Sequence, residues 1–240
     1  MPRALRIEYP GAVYHVMSRG NHGDLIFRDD SDREAFLKCL GQAAEKTGWL
    51  IHAYVLMGNH YHLLLETPRG NLVAGMKWLQ GADTQRFNSR HKLWGHLLQG
   101  RYKALNVDGN DKSYFQTVAT YIHLNPVRAR IVLPDHQRLS TFRWSSYPHY
   151  LARPAKRPVW LSVEKRWRAP EQREMTLPGG VVMRRLSRGG PLNAVQNVLG
   201  NHWNRHGERF AGDGIWENFH SRIGCWMSWA KRRRGRRPRR

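Results

Sequence analysis

Two β-rich runs, Trp49 to Met57 (WLIHAYVLM) and His60 to Glu66 (HYHLLLE), are joined by the pair Gly58-Asn59, and this junction constrains the fold more than any other feature of the 240-residue chain. β-runs flanking a Gly-Asn pair read as a hairpin, and a hairpin commits the chain to an antiparallel sheet. The elements around it follow from periodicity. Gly11 to Ser18 (GAVYHVMS) alternates apolar and polar residues as a first strand, closed by the turn residues Arg19 to Gly23. Asp30 or Ser31 can cap a helix carrying Phe36, Leu37, Leu40 and Ala44 at helical spacing, ending near Gly48. Leu72, Met76, Leu79, Ala82 and Phe87 predict a second helix from Asn71 to about His91. Gly100 to Asp108 (GRYKALNVD) alternates again as a strand. Asp111 or Ser113 then opens a helix through Phe115, Val118, Ala119 and Ile122, which should stop at Asn125, because the residue before Pro126 is biased away from helical angles. The order β, α, β, β, α, β, α implies an α+β fold, a ferredoxin-like or RRM-like antiparallel sheet with helices on one face.

On a strand, residues two apart share a face, so His60 and His62 project together while Tyr61 goes to the other side. Two imidazoles on one face can grip one metal ion, although such a pair taken alone is as readily surface or packing. The helix around Tyr121-Ile122-His123-Leu124-Asn125 supplies possible partners, since Tyr121 and Asn125 stand at i and i+4 on one face. A phenol can serve as a nucleophile beside a cation that stabilises the phenolate, and an asparagine oxygen can give a third, neutral ligand. Tyr102 and Tyr114 are rival nucleophiles, but neither has an asparagine four residues on. His123 faces away from the Tyr121 and Asn125 side, which suits packing or surface.

The segments GNHYHLLLE, QGRYKA and TYIHLNPVRA, with HVMSRGN near the start and FRWSSY after the last helix, closely resemble the insertion-sequence HUH tyrosine transposases, and among them the REP-associated tyrosine transposases. The resemblance spans residues 8 to 150 and rests on several motifs in the right order. It implies that His60, His62 and Asn125 hold Mg²⁺ or Mn²⁺ and that Tyr121 is the catalytic tyrosine. It further implies cleavage of single-stranded, hairpin-containing DNA through a 5′-phosphotyrosine, followed by rejoining. Arg19, Asn21, Arg101, Tyr102 and Lys103 lie in the matching motifs as candidates for phosphate or base contacts, with ordinary exposed strand ends as the other reading. Arg128 is placed to bind a phosphate or to remain a solvated arginine. Insertion-sequence members act as dimers with the tyrosine donated in trans, whereas the REP-associated group resembles monomers acting in cis; a monomer is expected here, with a dimer as the alternative. A water-attacking nuclease would need an acid near the metal, for which Glu66 is the candidate. A third alternative is a nucleic-acid-binding regulator with an idle tyrosine.

Composition agrees with a nucleic-acid partner. The formal net charge is +22, with 40 Lys and Arg against 18 Asp and Glu, and a surface so basic attracts polyphosphate and gains from counterion release. With Cys39 and Cys225 as the whole cysteine complement, a disulfide framework and a four-cysteine zinc site are both excluded. No apolar run long enough to span a membrane and no signal-peptide pattern is present, so a cytoplasmic, nucleoid-associated protein is expected. After Tyr150 the composition shifts, with 21 Lys and Arg against 6 Asp and Glu and six tryptophans. Residues 1–150 are therefore expected to form the catalytic domain, and residues 151–240 a basic, mainly helical extension with helices around Leu192 to Trp203 and Ile215 to Met227. Its last ten residues, KRRRGRRPRR, carry too dense a like charge to fold. The extension is a candidate clamp for a DNA hairpin.

Overall fold

In the computed structural model the described residues are 7–133 and 136–163, together with the short strands Thr176–Leu177 and Val181–Val182. The helices expected near residues 192–203 and 215–227, and the basic terminal run, lie outside the described residues.

Four strands, β1 (Ala12–Arg19), β2 (Leu50–Leu56), β3 (His60–Thr67) and β4 (Lys103–Val107), form one sheet in the order β2-β3-β1-β4, with every neighbouring pair antiparallel. The helices α1 (Asp30–Thr47), α2 (Leu72–His91) and α3 (Lys112–His123) complete the expected alternation. The Asp29 side chain caps α1 by accepting from the Asp32 N–H, one residue before the expected cap, and Gly48 ends the helix with φ of 74°, a left-handed angle that glycine adopts without strain.

Expecting helices on one face describes α1 and α2 only. Tyr14 and Val16 of β1 and Tyr61, Leu63 and Leu65 of β3 share a core with Phe36, Cys39 and Leu40 of α1 and Met76 and Leu79 of α2. The other face is covered by α3, whose Phe115 ring meets His52 of β2 and whose Tyr121 ring meets His15 of β1 and His62 of β3. The physical reason is the unbroken apolar run in β3: Leu63, Leu64 and Leu65 are all fully buried, and consecutive strand residues point to opposite faces. A strand of that kind needs a layer on each side.

The chain keeps packing beyond Tyr150. Leu161 bridges to Ile51 in parallel, the Ser162 N–H donates to the Ile51 carbonyl, and Leu161 and Val163 enter the core. Residues 144–146 line the same edge, through bonds from the Leu56 N–H to the Trp144 carbonyl and from the Ser146 N–H to the Tyr54 carbonyl. The exposed edge of β2 is thereby blunted.

Two positions in the α1–α2 layer are open to measurement. A Cβ built on Gly75 would stand 2.1 Å from the Trp49 ring, so Gly75→Ala is expected to lower stability by about 2 kcal/mol or more through overpacking, read as a lower midpoint in urea unfolding. Burial raises the Asp83 carboxyl from 3.8 to about 7, reinforced by the charge of Asp32, and its Oδ2 has no hydrogen-bond partner. The folded chain therefore keeps a proton that the unfolded chain loses, so this residue's contribution falls as pH rises from about 4 through 7. Asp83→Asn should flatten that decline and be more stable than the wild type at pH 8 by about 1–3 kcal/mol.

Candidate active site

Strand register builds the site. Met17 of β1 stands opposite both His62 of β3 and Lys103 of β4, and Arg19 stands opposite His60. Directly paired residues share a face, so Arg19 and Lys103 fall on the side of the sheet that carries the two histidines. The His60 and His62 rings are 5.3 Å apart, centre to centre, and nearly perpendicular. Tyr61 points the other way and packs on Phe36, as alternation requires.

Each histidine has one ring nitrogen held by a neighbour. His60 Nδ1 lies 2.8 Å from Asn59 Oδ1, while Asn59 Nδ2 donates to the Gly23 carbonyl. The amide orientation makes Oδ1 an acceptor, so His60 must carry its proton on Nδ1 and keep the Nε2 lone pair free. His62 Nδ1 lies 2.9 Å from His15 Nε2. When His62 is the donor in that pair, it too presents Nε2 as a bare lone pair. Burial lowers the pKa of both residues, His60 to about 4 with help from the Arg19 charge and His62 well below its ordinary value, with His15, His60 and Arg128 adding to the effect. Neutral imidazoles at pH 7 are the form that ligates a metal.

Tyr121 lies across from them on α3, its ring 6.1 Å from that of His62 and 5.9 Å from that of His15. The Arg128 guanidinium sits over the Tyr121 ring at 4.6 Å. Burial raises the pKa of the phenol, and Arg128 pulls the other way through its charge and a hydrogen bond. Arg128 is therefore a partner of Tyr121, not a solvated arginine. It stands on α4 (Asn125–Arg128), a one-turn helix that follows a break at Leu124 and accommodates Pro126 in its first turn. Asn125 Nδ2 donates to the carbonyls of Tyr121 and Ile122, which leaves Oδ1 as the donor atom not used by the helix end.

Among the described residues no group of three or more His, Cys, Asp or Glu is arranged to hold a metal ion. A cation here would need the amide oxygen of Asn125 as its third protein donor. The His60 tautomer and the orientation of the Asn125 amide suit that donor set, as does His62 when it is the donor to His15.

The other expected contacts divide. Arg101 is exposed just before β4, and Asn21 lies in the 3₁₀ turn after β1, its backbone N–H bonded to the Leu97 carbonyl. Tyr102 is not on the side of the two histidines, where a strand contact was expected of it: it is 7% exposed and belongs to the core under α1 and α2. It directly precedes Lys103, so strand alternation sends its ring to the opposite face. His123 is packing, as expected, with Nε2 2.7 Å from Ser146 Oγ and its ring against Tyr150. His15 was not singled out from sequence. Its place in GAVYHVMS gives the alternation, but only the pairing of β1 with β3 reveals that it abuts His62.

An antiparallel sheet that holds two histidines opposite a tyrosine on a covering helix defines an α+β domain with polar, candidate reactive groups gathered on one face. Residues 9–125 match the family described as transposase, IS200 like. No curated protein matches the sequence. Among solved structures, a REP-associated tyrosine transposase bound to a REP hairpin aligns with a TM-score of 0.52 at 16% identity, covering 68% of this chain and 92% of the other. The fold is shared with that protein. A candidate transposase from Deinococcus radiodurans R1 aligns at 22% identity over 50% of this chain and 97% of its own, with a TM-score of 0.36, too low to bear on the fold. No helix among the described residues is long and apolar enough to cross a membrane.

The Asn59 contact gives a direct test of how the site is set. In the wild type, long-range ¹H–¹⁵N spectra at pH 7 should show His60 with its proton on Nδ1. Asn59→Ala should redistribute that proton between the two nitrogens; an unchanged pattern would mean that Asn59 does not choose the tautomer.

Proposed function

We propose that the protein cleaves and rejoins single-stranded DNA, with Tyr121 as nucleophile beside a divalent cation, Mg²⁺ or Mn²⁺, held by His60 Nε2, His62 Nε2 and Asn125 Oδ1. The observation that carries this reading is the apposition of the Tyr121 ring to His62 at 6.1 Å across the sheet face, within one chain. The tyrosine is proposed to act in cis, in a monomer. The cation would polarise a non-bridging phosphate oxygen and withdraw charge from the reacting phosphorus.

The remaining work falls to residues of this chain. Burial keeps the Tyr121 phenol protonated at rest, so attack requires positive charge to be brought beside its oxygen, and Arg128 is the nearest protein source. As the bond from the tyrosine oxygen to phosphorus forms, the bond to the departing 3′-oxygen breaks and the phenol's proton passes by way of solvent to that oxygen, leaving a 5′-phosphotyrosine and a free 3′-hydroxyl. Rejoining is the reverse attack by a 3′-hydroxyl, and the bond energy kept in the link removes any need for ATP. Arg19 and Lys103, on the histidine face, are suited to the phosphates that flank the cut. The structural neighbour was solved with a DNA hairpin, and a hairpin flanked by single strand is the substrate proposed here. The basic extension after residue 150 is proposed to add affinity for it.

The nuclease alternative loses its water-activating acid. Glu66 pairs with His52, Oε2 to Nε2 at 3.4 Å, and stands four residues along β3 from His62, roughly 13 Å away at strand rise.

Labelled hairpin oligonucleotides with Mn²⁺ or Mg²⁺, resolved on a denaturing gel, test the proposal. A covalent DNA–protein adduct is expected, lost in Tyr121→Phe and reduced by at least about a hundredfold in His60→Ala. Cleavage that survives Tyr121→Phe without an adduct would sink the phosphotyrosine reading in favour of water attack. Tight binding with no cleavage would favour the regulator.

A further inference from the structure

The loop between α2 and β4 holds a side chain that strand cleavage as proposed leaves unused. Trp94 is 91% exposed, the most exposed aromatic among the described residues. Its loop is pinned on both sides. Before it, Lys92 ends α2 in the left-handed conformation, and the Leu93 N–H donates to the Asn88 carbonyl at 2.9 Å. Asn88 Nδ2 then reaches over to the Gly95 carbonyl at 3.0 Å. After it, Leu97 and Leu98 are buried. The Leu97 carbonyl accepts from the Asn21 N–H at 2.9 Å, Leu98 bridges to Gly20, and the Gln99 N–H donates to the Arg19 carbonyl at 2.8 Å.

These bonds fix the location of the indole. Leu97 is tied to the end of β1, where Arg19 pairs with His60. Three residues separate Trp94 from Leu97, a chain reach of roughly 10 Å at most. A large apolar ring is thus held in water near the end of the sheet where His60 stands, on a loop anchored to the core through Leu97 and Leu98. From Arg90 to Lys103 the sequence has four Lys and Arg and no Asp or Glu, and Lys92 and Arg101, which precede and follow Trp94 along the chain, are exposed. A flat π-face on a loop with exposed cations suits one kind of occupant, a base whose phosphates are close by. In a chain of net charge +22, docking a second copy here would instead bring like charges together.

We infer that Trp94 is a stacking platform for an unpaired base of the bound strand, next to the nucleotide that enters the site of His60, His62 and Tyr121, while Lys92 and Arg101 meet the adjoining phosphates. The inference rests on the proposed function for its ligand class, single-stranded DNA. The platform contributes affinity and places the strand; it takes no part in bond making.

The full-length chain would be titrated into fluorescein-labelled hairpin oligonucleotides bearing single-stranded extensions, and into a blunt duplex of the same stem. Anisotropy would be followed across a salt series in EDTA, so that binding is read without cleavage. Trp94→Ala is expected to weaken binding to the single-stranded probe on the order of tenfold while leaving the salt slope unchanged, because a stacking contact is lost and no phosphate contact is. Trp94→Tyr should restore most of the affinity and Trp94→Leu should not, since leucine offers apolar area without a π-face. Lys92→Ala should lower the salt slope by about one contact. Equal affinity of the wild type and Trp94→Ala for the extended hairpin overturns the inference and leaves the proposed function standing. So does a loss that is equally large on the blunt duplex, which has no unpaired base to stack. A wild type that fails to bind the extended hairpin removes the proposed function itself.

Discussion

The requirement that both sides of β3 be covered governs the arrangement of everything around it. Leu63 and Leu65 demand a layer on one face and Leu64 demands one on the other, each burial being worth about 1.5–3 kcal/mol. The α1–α2 layer satisfies the first demand. The second is met by α3, and the helix that buries Leu64 is the helix that carries Tyr121 to His62. The reactive arrangement is therefore obtained from the same free energy that closes the second core. A polar pair at the open end of a strand and an apolar residue at its middle are covered together.

Much of this was legible in the sequence because it depends on local period. The hairpin, the three long helices and the face shared by His60 and His62 all follow from alternation and helical spacing within single segments. What depends on pairing between segments did not show. His15 reads as an ordinary polar residue of a first strand until β1 is registered against β3. Tyr102 sits in a motif rich in exposed cations, yet its parity along β4 sends it into the core. The burial of both faces was present as the Leu63-Leu64-Leu65 run, which a reading in terms of one amphipathic face passes over. Asn125 was identified through its spacing from Tyr121, and the structure adds that its amide nitrogen also ends the helix.

The two sides of the sheet handle charge in opposite ways. Between α1 and α2, Arg90 is paired with Asp29 and Asp32, and His91 Nε2 lies 2.9 Å from Asp32 Oδ1. The histidine face instead gathers neutral donors with cations around them, and among the described residues no carboxylate pairs with His60 or His62. Arg19 adds to the lowering of the His60 pKa, and Arg128 to that of His62.

The way residues 142–163 close over β2 has a practical consequence for where this domain can be cut. The family match ends at Asn125, yet the strand edge beneath α3 is completed by Trp144, Ser146, Leu161 and Ser162. Ser146 alone bridges the Tyr54 backbone and His123 on α3. The segment that the family model matches is thus shorter than the segment that closes the structure. An expression boundary drawn at the end of that match would keep His60, His62, Tyr121 and Asn125 but discard Arg128, which packs on Tyr121, and the clasp that holds their helix against the sheet.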